Sequence, residues 1–366
     1  MNENRLELQV FRQELRALPG YRSTWHAIDG RLAKLNHNER TTPLPAAIRA
    51  AVLERLGGAD WHRYPDPDAT GLRQRLAAVT GVDPGGILVG NGGNDLIGRV
   101  FAALRPDATV VLCTPGYPVY QRQAAVLGLA VREVPLTAMP GSFGPFALDV
   151  PAVLAAAAGC AAPVLCLASP NNPTGNCLDA HALSAVVAAW PGLCVVDEAY
   201  CDYSGRSLAA ELTRFGNLLL LRTLSKAYGL AGVRLGYLLG AQHVCSEIAK
   251  VAAPYSVGIL TQVCGEVLLD HAADLAADVA ATIAERDRLA TALRHLPGAE
   301  VAPSDANFLL VRCRNHLNSV RKALTADMIL VRDLAGIPGL ADCLRIGIGT
   351  PAENHRVLAA IDRALT

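Results

Sequence analysis

Residues 163–197 read PVLCLASPNNPTGNCLDAHALSAVVAAWPGLCVVD, and this stretch decides the fold. Its two ends, PVLCLA (163–168) and LCVVD (193–197), are short apolar runs typical of buried strands. The segment 179–189 between them predicts a helix. A strand, a helix and a second strand in this order predict two parallel strands joined by a crossover helix.

The same alternation continues on both sides of this unit. Helical stretches are predicted at 94–104 and 118–128. The remaining strand candidates are ILVG (87–90), TVVLC (109–113), AVREV (130–134), LLLLRT (218–223) and LGYLLG (235–240). Apolar strands that alternate with helices predict an α/β fold, with a mainly parallel sheet flanked by helices. Functional residues of such sheets gather in the loops near strand ends.

We divide the chain into an N-terminal arm (1–44), a large domain (45–255) and a smaller α+β C-terminal domain (256–366). The arm begins with a predicted helix (4–17) and is expected to pack on the small domain. The elements predicted in the small domain are a long helix (260–296), strands in 306–313, 328–333 and 343–349, and helices at 315–326 and 352–365. The pocket between the two domains is the expected site.

Composition excludes several classes of protein. Basic and acidic residues both number 33, whereas a nucleic-acid-binding protein needs a basic excess. A hydrophobic fraction of 51% excludes a disordered chain. Only four basic residues are lysines, so each of them invites inspection: Lys34, Lys226, Lys250 and Lys322.

Membrane, export and metal signals are also missing. The longest uncharged stretch (150–178) is interrupted by several prolines, and the polar N-terminus lacks the apolar core of a signal peptide. The ten cysteines contain no Cys-x-x-Cys pair, and the histidines form no HxxxH or HExxH motif. We therefore expect a cytoplasmic protein with reduced thiols and no metal site.

The most specific segment is TLSKAYGLAGVRLGYLLG (223–240). Lys226 follows a strand, and a lysine used in Schiff-base chemistry needs such an apolar setting for its amine to become neutral. The hydroxyls of Thr223 and Ser225, with Arg234, suit a phosphate dianion. The alternative is a surface lysine in a glycine-rich turn.

Three further strand ends carry candidate residues. Asp197 ends an apolar strand and needs a cationic partner there, although an N-cap role is the alternative. Tyr200 is able to direct its hydroxyl into the same pocket. Asn172 lies in the rigid loop SPNNPTG, and Tyr117, in TPGYPVY, is placed to stack on a flat ring or to pack in the core.

Two segments suit anions. In GNGGND (90–95) a strand ends in glycines and a helix begins, so the backbone amides near Gly93 and Asn94 form a candidate phosphate site or a simple tight turn. Arg345 lies in the apolar run LRIGIG and needs an anionic partner such as a substrate carboxylate. Arg332 offers a second anion contact or a surface charge.

The order of these segments resembles the pyridoxal-phosphate (PLP) aminotransferases of fold type I, classes I and II, and within them the histidinol-phosphate aminotransferase branch. The segments are GNGGND, TPGY, SPNNPTG, VVDEAY, TLSKAYGLAGVRLGY and LRIGIGT, and the resemblance runs from about residue 35 to the C-terminus. It implies transamination between an amino donor, phosphorylated or not, and a 2-keto acid, in amino-acid biosynthesis.

The resemblance also implies a role for each candidate residue. Lys226 would hold PLP as a Schiff base and act as the general base, while Asp197 would pair with the ring nitrogen. The other implied cofactor contacts are Tyr200 and Asn172 at the ring hydroxyl, Tyr117 on the ring, and Gly93, Asn94, Thr223, Ser225 and Arg234 at the phosphate. Tyr64 would reach the cofactor phosphate of the partner subunit in a homodimer. Arg345, with Asn38 nearby, would bind the substrate carboxylate, and Arg332 a distal phosphate.

Two other readings stay open. A decarboxylase similar to the threonine-phosphate decarboxylases would use the same cofactor residues, and a PLP enzyme of specialised metabolism would act on an unusual amino acid. A non-catalytic PLP-binding regulator is a different class of protein, which the retention of Lys226 and Asp197 disfavours.

Overall fold

A computed structural model describes residues 32–138 and 141–366, together with Arg12, Leu15, Leu18 and Gly20. The predicted helix 4–17 lies almost wholly outside the described residues. The first elements along the chain are β1 (Ala33–Lys34), α1 (Ala46–Gly57), α2 (Thr70–Thr80), β2 (Ile87–Gly90), α3 (Gly93–Ala102), β3 (Ala108–Thr114), α4 (Pro118–Leu127), β4 (Ala130–Pro135), β5 (Thr137–Ala138), β6 (Phe146–Ala147), α5 (Val150–Ala155), β7 (Ala162–Ala168), α6 (Ala180–Ala189), β8 (Leu193–Asp197), α7 (Cys201–Ser204), β9 (Leu218–Thr223), β10 (Gly236–Gly240) and α8 (Gln242–Ala249).

The C-terminal elements complete the chain. They are α9 (Ile259–Asp270), α10 (Ala276–Arg294), β11 (Glu300–Val301), β12 (Phe308–Arg312), α11 (Leu317–Ala326), β13 (Ile329–Leu330), β14 (Arg332–Asp333), β15 (Cys343–Gly347) and α12 (Pro351–Leu365). Some helix starts carry a side-chain cap. The Asp179 carboxylate accepts a hydrogen bond from the Ala182 amide, and Thr350 and Glu353 form a capping box before α12.

A seven-stranded sheet forms the centre of the larger part, in the order β2-β10-β9-β8-β7-β3-β4. All neighbours are parallel except β10, which runs antiparallel to β2 and β9. The seven runs expected to be strands all lie in it, so the α/β prediction is confirmed. Alternate side chains supply the two faces: Val196 and Leu220 pack into one apolar cluster, Val195 and Leu219 into another.

A second, four-stranded sheet has the order β11-β12-β15-β14 and is antiparallel. Its core includes residues of α10, α11 and α12. Strand β1 pairs with β13 beside this sheet, so residues 33–34 are joined to the C-terminal part. The division into an arm (1–44), a large domain (45–255) and a small domain (256–366) stays a proposal, since this pairing concerns residues 33–34 of the arm.

Two expectations about the C-terminal part are wrong. The long helix expected at 260–296 is split into α9 and α10 by a non-helical His271 and a short 3-10 turn. The break redirects the chain between two cores, because Leu268 packs with the large sheet and Leu289 with the small sheet. The run 328–333 forms β13 and β14, which pair with different strands. Within the described residues, no helix is both long and apolar enough to cross a bilayer.

Close backbone packing at Gly236 gives a test of the sheet. A Cβ atom there would lie 2.8 Å from the Gly92 carbonyl carbon and 2.8 Å from the Gly93 nitrogen. We expect Gly236→Ala to lower the free energy of unfolding by about 1–3 kcal/mol, because backbone atoms must move. The matched control is Gly232→Ala, where nothing lies within 4 Å. Equal denaturant midpoints for the two variants would contradict this packing.

Candidate active site

A cleft of about 890 Å³ lies at the carboxyl ends of β7, β8 and β9, against residues of β14 and β15. Every predicted site residue except Tyr64 lines this cleft: Asn38, Gly93, Asn94, Tyr117, Asn172, Asp197, Tyr200, Thr223, Ser225, Lys226, Arg234, Arg332 and Arg345. A cavity is therefore present where the site was expected. It brings together residues that are far apart in the sequence, such as Asn38 and Arg345.

The Lys226 side chain is half-buried in the cleft, three residues beyond the end of β9. Its amine donates a hydrogen bond to the His37 carbonyl at 2.8 Å and lies 5.7 Å from the centre of the Tyr200 ring. Burial lowers the pKa of Lys226 to about 8, and the nearby positive charge of Arg345 adds to this effect. A substantial fraction of this amine is therefore neutral near pH 8, as a nucleophile or base requires.

The Asp197 carboxylate is buried at the end of β8. It accepts hydrogen bonds from the Ala199 amide at 3.0 Å and from the Tyr120 hydroxyl at 3.1 Å. Burial raises its pKa to about 6, against these two hydrogen bonds. Asp197 is not the N-cap residue of α7, because Tyr200 occupies that position, without a capping hydrogen bond from its side chain. In the described part of the chain no cationic side chain forms an ion pair with Asp197, so it fits a cationic ring nitrogen.

Arg345 and Tyr200 are joined to their surroundings by polar contacts within the cleft. Arg345 donates to the Asn172 side-chain oxygen and to the Asn36 carbonyl, both at 2.6 Å. The Asn38 amide donates to the Tyr200 hydroxyl at 3.0 Å. Burial lowers the pKa of Arg345, and among the described residues its Nε has no hydrogen-bond partner. This guanidinium fits a carboxylate or phosphate that enters the cleft.

The glycine turn ends at the start of α3, beside Arg234. Gly92 has a φ of 86°, and a Cβ atom there would lie 2.5 Å from an Arg234 nitrogen, so only glycine fits. Thr223 donates to the Leu235 carbonyl and accepts from the Ser225 amide, which fixes the hydroxyl at the end of β9. The amides at the start of α3, the Ser225 hydroxyl and Arg234 form a cradle that fits a phosphate, with Thr223 beside it.

The remaining predicted residues lie at the edges of the cleft or outside it. The Tyr117 hydroxyl donates to Asn94 at 3.1 Å, and its ring meets the Tyr120 ring edge-on. Arg332 is exposed on β14, directly opposite Arg345 in the strand register. Tyr64 lies outside the cleft, 79% exposed and stacked on Tyr255 with ring centres 4.4 Å apart.

Sequence reasoning missed three contacts in the site. Tyr120 lies one helical turn after Tyr117, and this spacing was the available signal for a second aromatic residue facing the sheet. The carbonyls of Asn36 and His37 accept from Arg345 and Lys226, but backbone acceptors leave no trace in a sequence. No group of three or more possible metal ligands occurs among the residues that the structure describes.

A lysine with a lowered pKa, a buried carboxylate without a cationic side-chain partner among the described residues, and a phosphate cradle lie in one cleft, as the site of a fold type I PLP enzyme requires. The chain matches the aminotransferase class I and II family over residues 31–361 and belongs to it. It is a PLP-dependent aminotransferase.

Curated relatives and solved structures agree with this class. The chain is 39% identical to histidinol-phosphate aminotransferase 2 of Cupriavidus pinatubonensis, over 98% of this chain and 97% of that protein. It is 40% identical to histidinol-phosphate aminotransferase 1 of Burkholderia lata, over 91% and 92% of the two chains. The histidinol-phosphate aminotransferase of Sinorhizobium meliloti, solved with PLP, superimposes with a TM-score of 0.84 at 26% identity, covering 97% of both chains.

The environment of Lys226 predicts how its amine reacts in the cofactor-free protein. Acetylation at Lys226, followed by peptide mass spectrometry, should rise with pH to a midpoint near 8, because burial and Arg345 disfavour the charged form. Arg345→Met removes that neighbouring charge and should move the midpoint upward. A midpoint near the ordinary lysine value of about 10.4 would contradict the buried setting.

Proposed function

We propose that this aminotransferase uses a phosphate-bearing, histidinol-phosphate-like amine as donor and a 2-keto acid as acceptor, within amino-acid biosynthesis. The observation that carries this proposal is the pairing of Arg332 with Arg345. The two residues are directly opposite each other on antiparallel strands and therefore on one face of the sheet, and both line the cleft. Like charges in this arrangement repel, and an anion between them offsets the repulsion.

We assign a different anionic group of the substrates to each of the two arginines. Arg345 is buried and presents a planar fork, which suits the α-carboxylate of the keto acid, with Asn38 nearby. Arg332 is exposed at the cleft edge and suits the distal phosphate of the donor. The relatives named above are histidinol-phosphate aminotransferases, which supports a donor that bears a phosphate.

PLP supplies, when bound, a conjugated ring that withdraws electrons from the bonds of the substrate Cα. We assign the covalent attachment of the cofactor to the Lys226 amine, which, once displaced by the substrate amine, would act as the base for the Cα proton. Asp197 holds the positive charge of the ring nitrogen, and Tyr200 and Asn172 contact the ring hydroxyl. Tyr117 stacks on the ring. The phosphate contacts are Gly93, Asn94, Thr223, Ser225 and Arg234.

We further propose a homodimer in which Tyr64 reaches the cofactor phosphate of the partner subunit. Tyr64 and Tyr255 stack on each other and are both exposed, so they present apolar ring surface to solvent. Exposed aromatic surface of this kind suits a protein–protein interface. Localisation in the cytoplasm is proposed as well. All ten cysteines lie among the described residues and none is in a disulfide, which suits a reducing compartment.

The donor is tested with a panel of amines, including a phosphorylated amino alcohol and its phosphate-free counterpart, while the cofactor absorbance is followed. Arg332→Ala should raise KM for the phosphorylated donor about tenfold or more and leave the phosphate-free donor nearly unchanged, because one charge-assisted contact is lost. Arg314→Ala, which alters an exposed arginine of the second sheet region, is the control.

Two outcomes of this panel would contradict the proposal. An unchanged KM for the phosphorylated donor in Arg332→Ala removes the phosphate assignment. Release of carbon dioxide from amino acids without any need for a keto acid contradicts transamination and indicates a decarboxylase instead.

The dimer proposal predicts the effect of Tyr64→Phe, which keeps the aromatic ring and removes only the hydroxyl. The dissociation constant for PLP should rise about tenfold, whereas that for pyridoxal, which lacks the phosphate, should not change. Tyr255→Phe, on the other ring of the stacked pair, is the matched control. A monomer in sedimentation at full activity, or an equal loss for PLP and pyridoxal, would contradict the shared site.

A further inference from the structure

Tyr120 contacts the buried carboxylate of the site from the side of the sheet that faces α4. Its hydroxyl donates to Oδ2 of Asp197 at 3.1 Å, and both side chains are buried. The other carboxylate oxygen, Oδ1, accepts from the Ala199 amide at 3.0 Å. Asp197 is therefore held by one backbone donor from its own loop and by one side-chain donor from a different element.

Packing fixes the position of the Tyr120 ring. It lies 6.2 Å from the Phe101 ring in a tilted arrangement and 6.3 Å from the Tyr117 ring in an edge-on arrangement. Phe101 comes from α3 and Tyr117 is the N-cap of α4. Aromatic contacts on two sides leave the phenol little freedom, so its hydroxyl is aimed at Asp197 before any cofactor binds.

The titratable groups that face this pair from the neighbouring elements are Cys166, Lys226, Glu198, Tyr117 and Tyr200. Glu198 forms an ion pair with Arg222 at 2.9 Å, and Lys226 donates to the His37 carbonyl. Neither group hydrogen-bonds to Asp197. Among the described residues, Tyr120 is thus the side chain that donates a hydrogen bond to this carboxylate.

We propose that Tyr120 is a positioning residue, whose hydroxyl fixes the plane of the Asp197 carboxylate and keeps it ionised for the ring nitrogen of the cofactor. This inference rests on the proposed role of Asp197. It adds a residue that touches neither the substrate nor the cofactor in the proposed site and acts only through Asp197.

The physical reason is the direction of the hydrogen bond. Burial raises the pKa of Tyr120 well above its ordinary value, so the phenol keeps its proton and always donates. A donated hydrogen bond stabilises a carboxylate relative to a carboxylic acid. Burial raises the pKa of Asp197 to about 6 despite this bond. Without the phenol, the Ala199 amide and the charge of Lys226 remain to oppose the effect of burial, and the carboxyl group protonates at higher pH.

The pH dependence of cofactor binding follows from this. Asp197 is ionised above about pH 6, so its contribution to the binding of a cationic ring is present at higher pH and is lost as the pH drops through that value. Loss of the Tyr120 hydroxyl should move the midpoint of this decrease in cofactor affinity to higher pH. If the Tyr120 ring served only to pack the core, its replacement would change the stability of the protein but not this midpoint pH.

The experiment measures the PLP dissociation constant between pH 5 and 9 for the wild-type protein and for Tyr120→Phe. We expect binding about tenfold weaker at pH 6.5 in this variant, with the midpoint moved to higher pH. Tyr237→Phe is the control, because Tyr237 is another buried tyrosine but lies outside the cleft. The pH titration of the bound cofactor's absorbance should shift in the same direction.

Asp197→Asn and the double variant separate this inference from the role assigned to Asp197. If Asp197→Asn binds PLP like the wild type, the role of Asp197 itself fails. If Asp197→Asn loses affinity while Tyr120→Phe keeps the wild-type constant and midpoint, only the Tyr120 inference is overturned. It is also overturned if Tyr120→Phe weakens binding equally in the Asn background, because the two groups are then uncoupled.

A second variant distinguishes the loss of the hydrogen bond from a folding defect. Replacement of Tyr120 by 3-fluorotyrosine keeps the ring and makes the hydroxyl a stronger donor. The midpoint for cofactor binding should then move to lower pH, opposite to the effect of Tyr120→Phe. A shift to higher pH, or none, would contradict the proposed hydrogen bond.

Discussion

Four successive backbone carbonyls, from Leu35 to Asn38, hold the two halves of the site together. The Leu35 carbonyl accepts from the Gly347 amide, and the next three accept from the side chains of Arg345, Lys226 and Asn307. Because Lys226 follows a strand of the large sheet and Arg345 lies in the small one, the segment fixes the reacting amine relative to the anion-binding fork. Asn38 adopts a φ of 53° within it, a conformation that non-glycine residues rarely hold without support.

Burial acts in opposite directions on the two groups that carry the chemistry. It raises the pKa of Asp197 to about 6 and lowers that of Lys226 to about 8. Near pH 7 the aspartate is still mostly ionised, and the lysine reaches its neutral form at modest cost. A more exposed site would leave Lys226 protonated, and a site without hydrogen bonds to Asp197 would leave that carboxyl group neutral. Burial in the cleft is therefore compatible with an ionised Asp197 and a readily neutralised Lys226, because Ala199 and Tyr120 donate hydrogen bonds to the carboxylate.

The sequence predicted well what depends on local pattern. Apolar runs indicated all seven strands of the large sheet, and the residues after those strands, such as Asp197 and Lys226, lie together in the cleft because parallel strands end at one edge. It failed where tertiary packing decides. The break at His271 separates two helices that serve different cores, and nothing local signals it. The acceptors Asn36 and His37 act through backbone atoms, so residue type carries no information about them.

Lysine and arginine are not interchangeable in this cleft. The chain uses 29 arginines and four lysines as its cations. Arg345 is buried, yet guanidinium stays charged, so burial strengthens its attraction for an anion without removing its proton. Lys34 also lines the cleft, but its amine is held by the Glu39 carboxylate at 2.7 Å. Among the described residues that line the cleft, Lys226 is therefore the one lysine without an acidic ion-pair partner. Arginine at that position would retain the charge and lose the nucleophile.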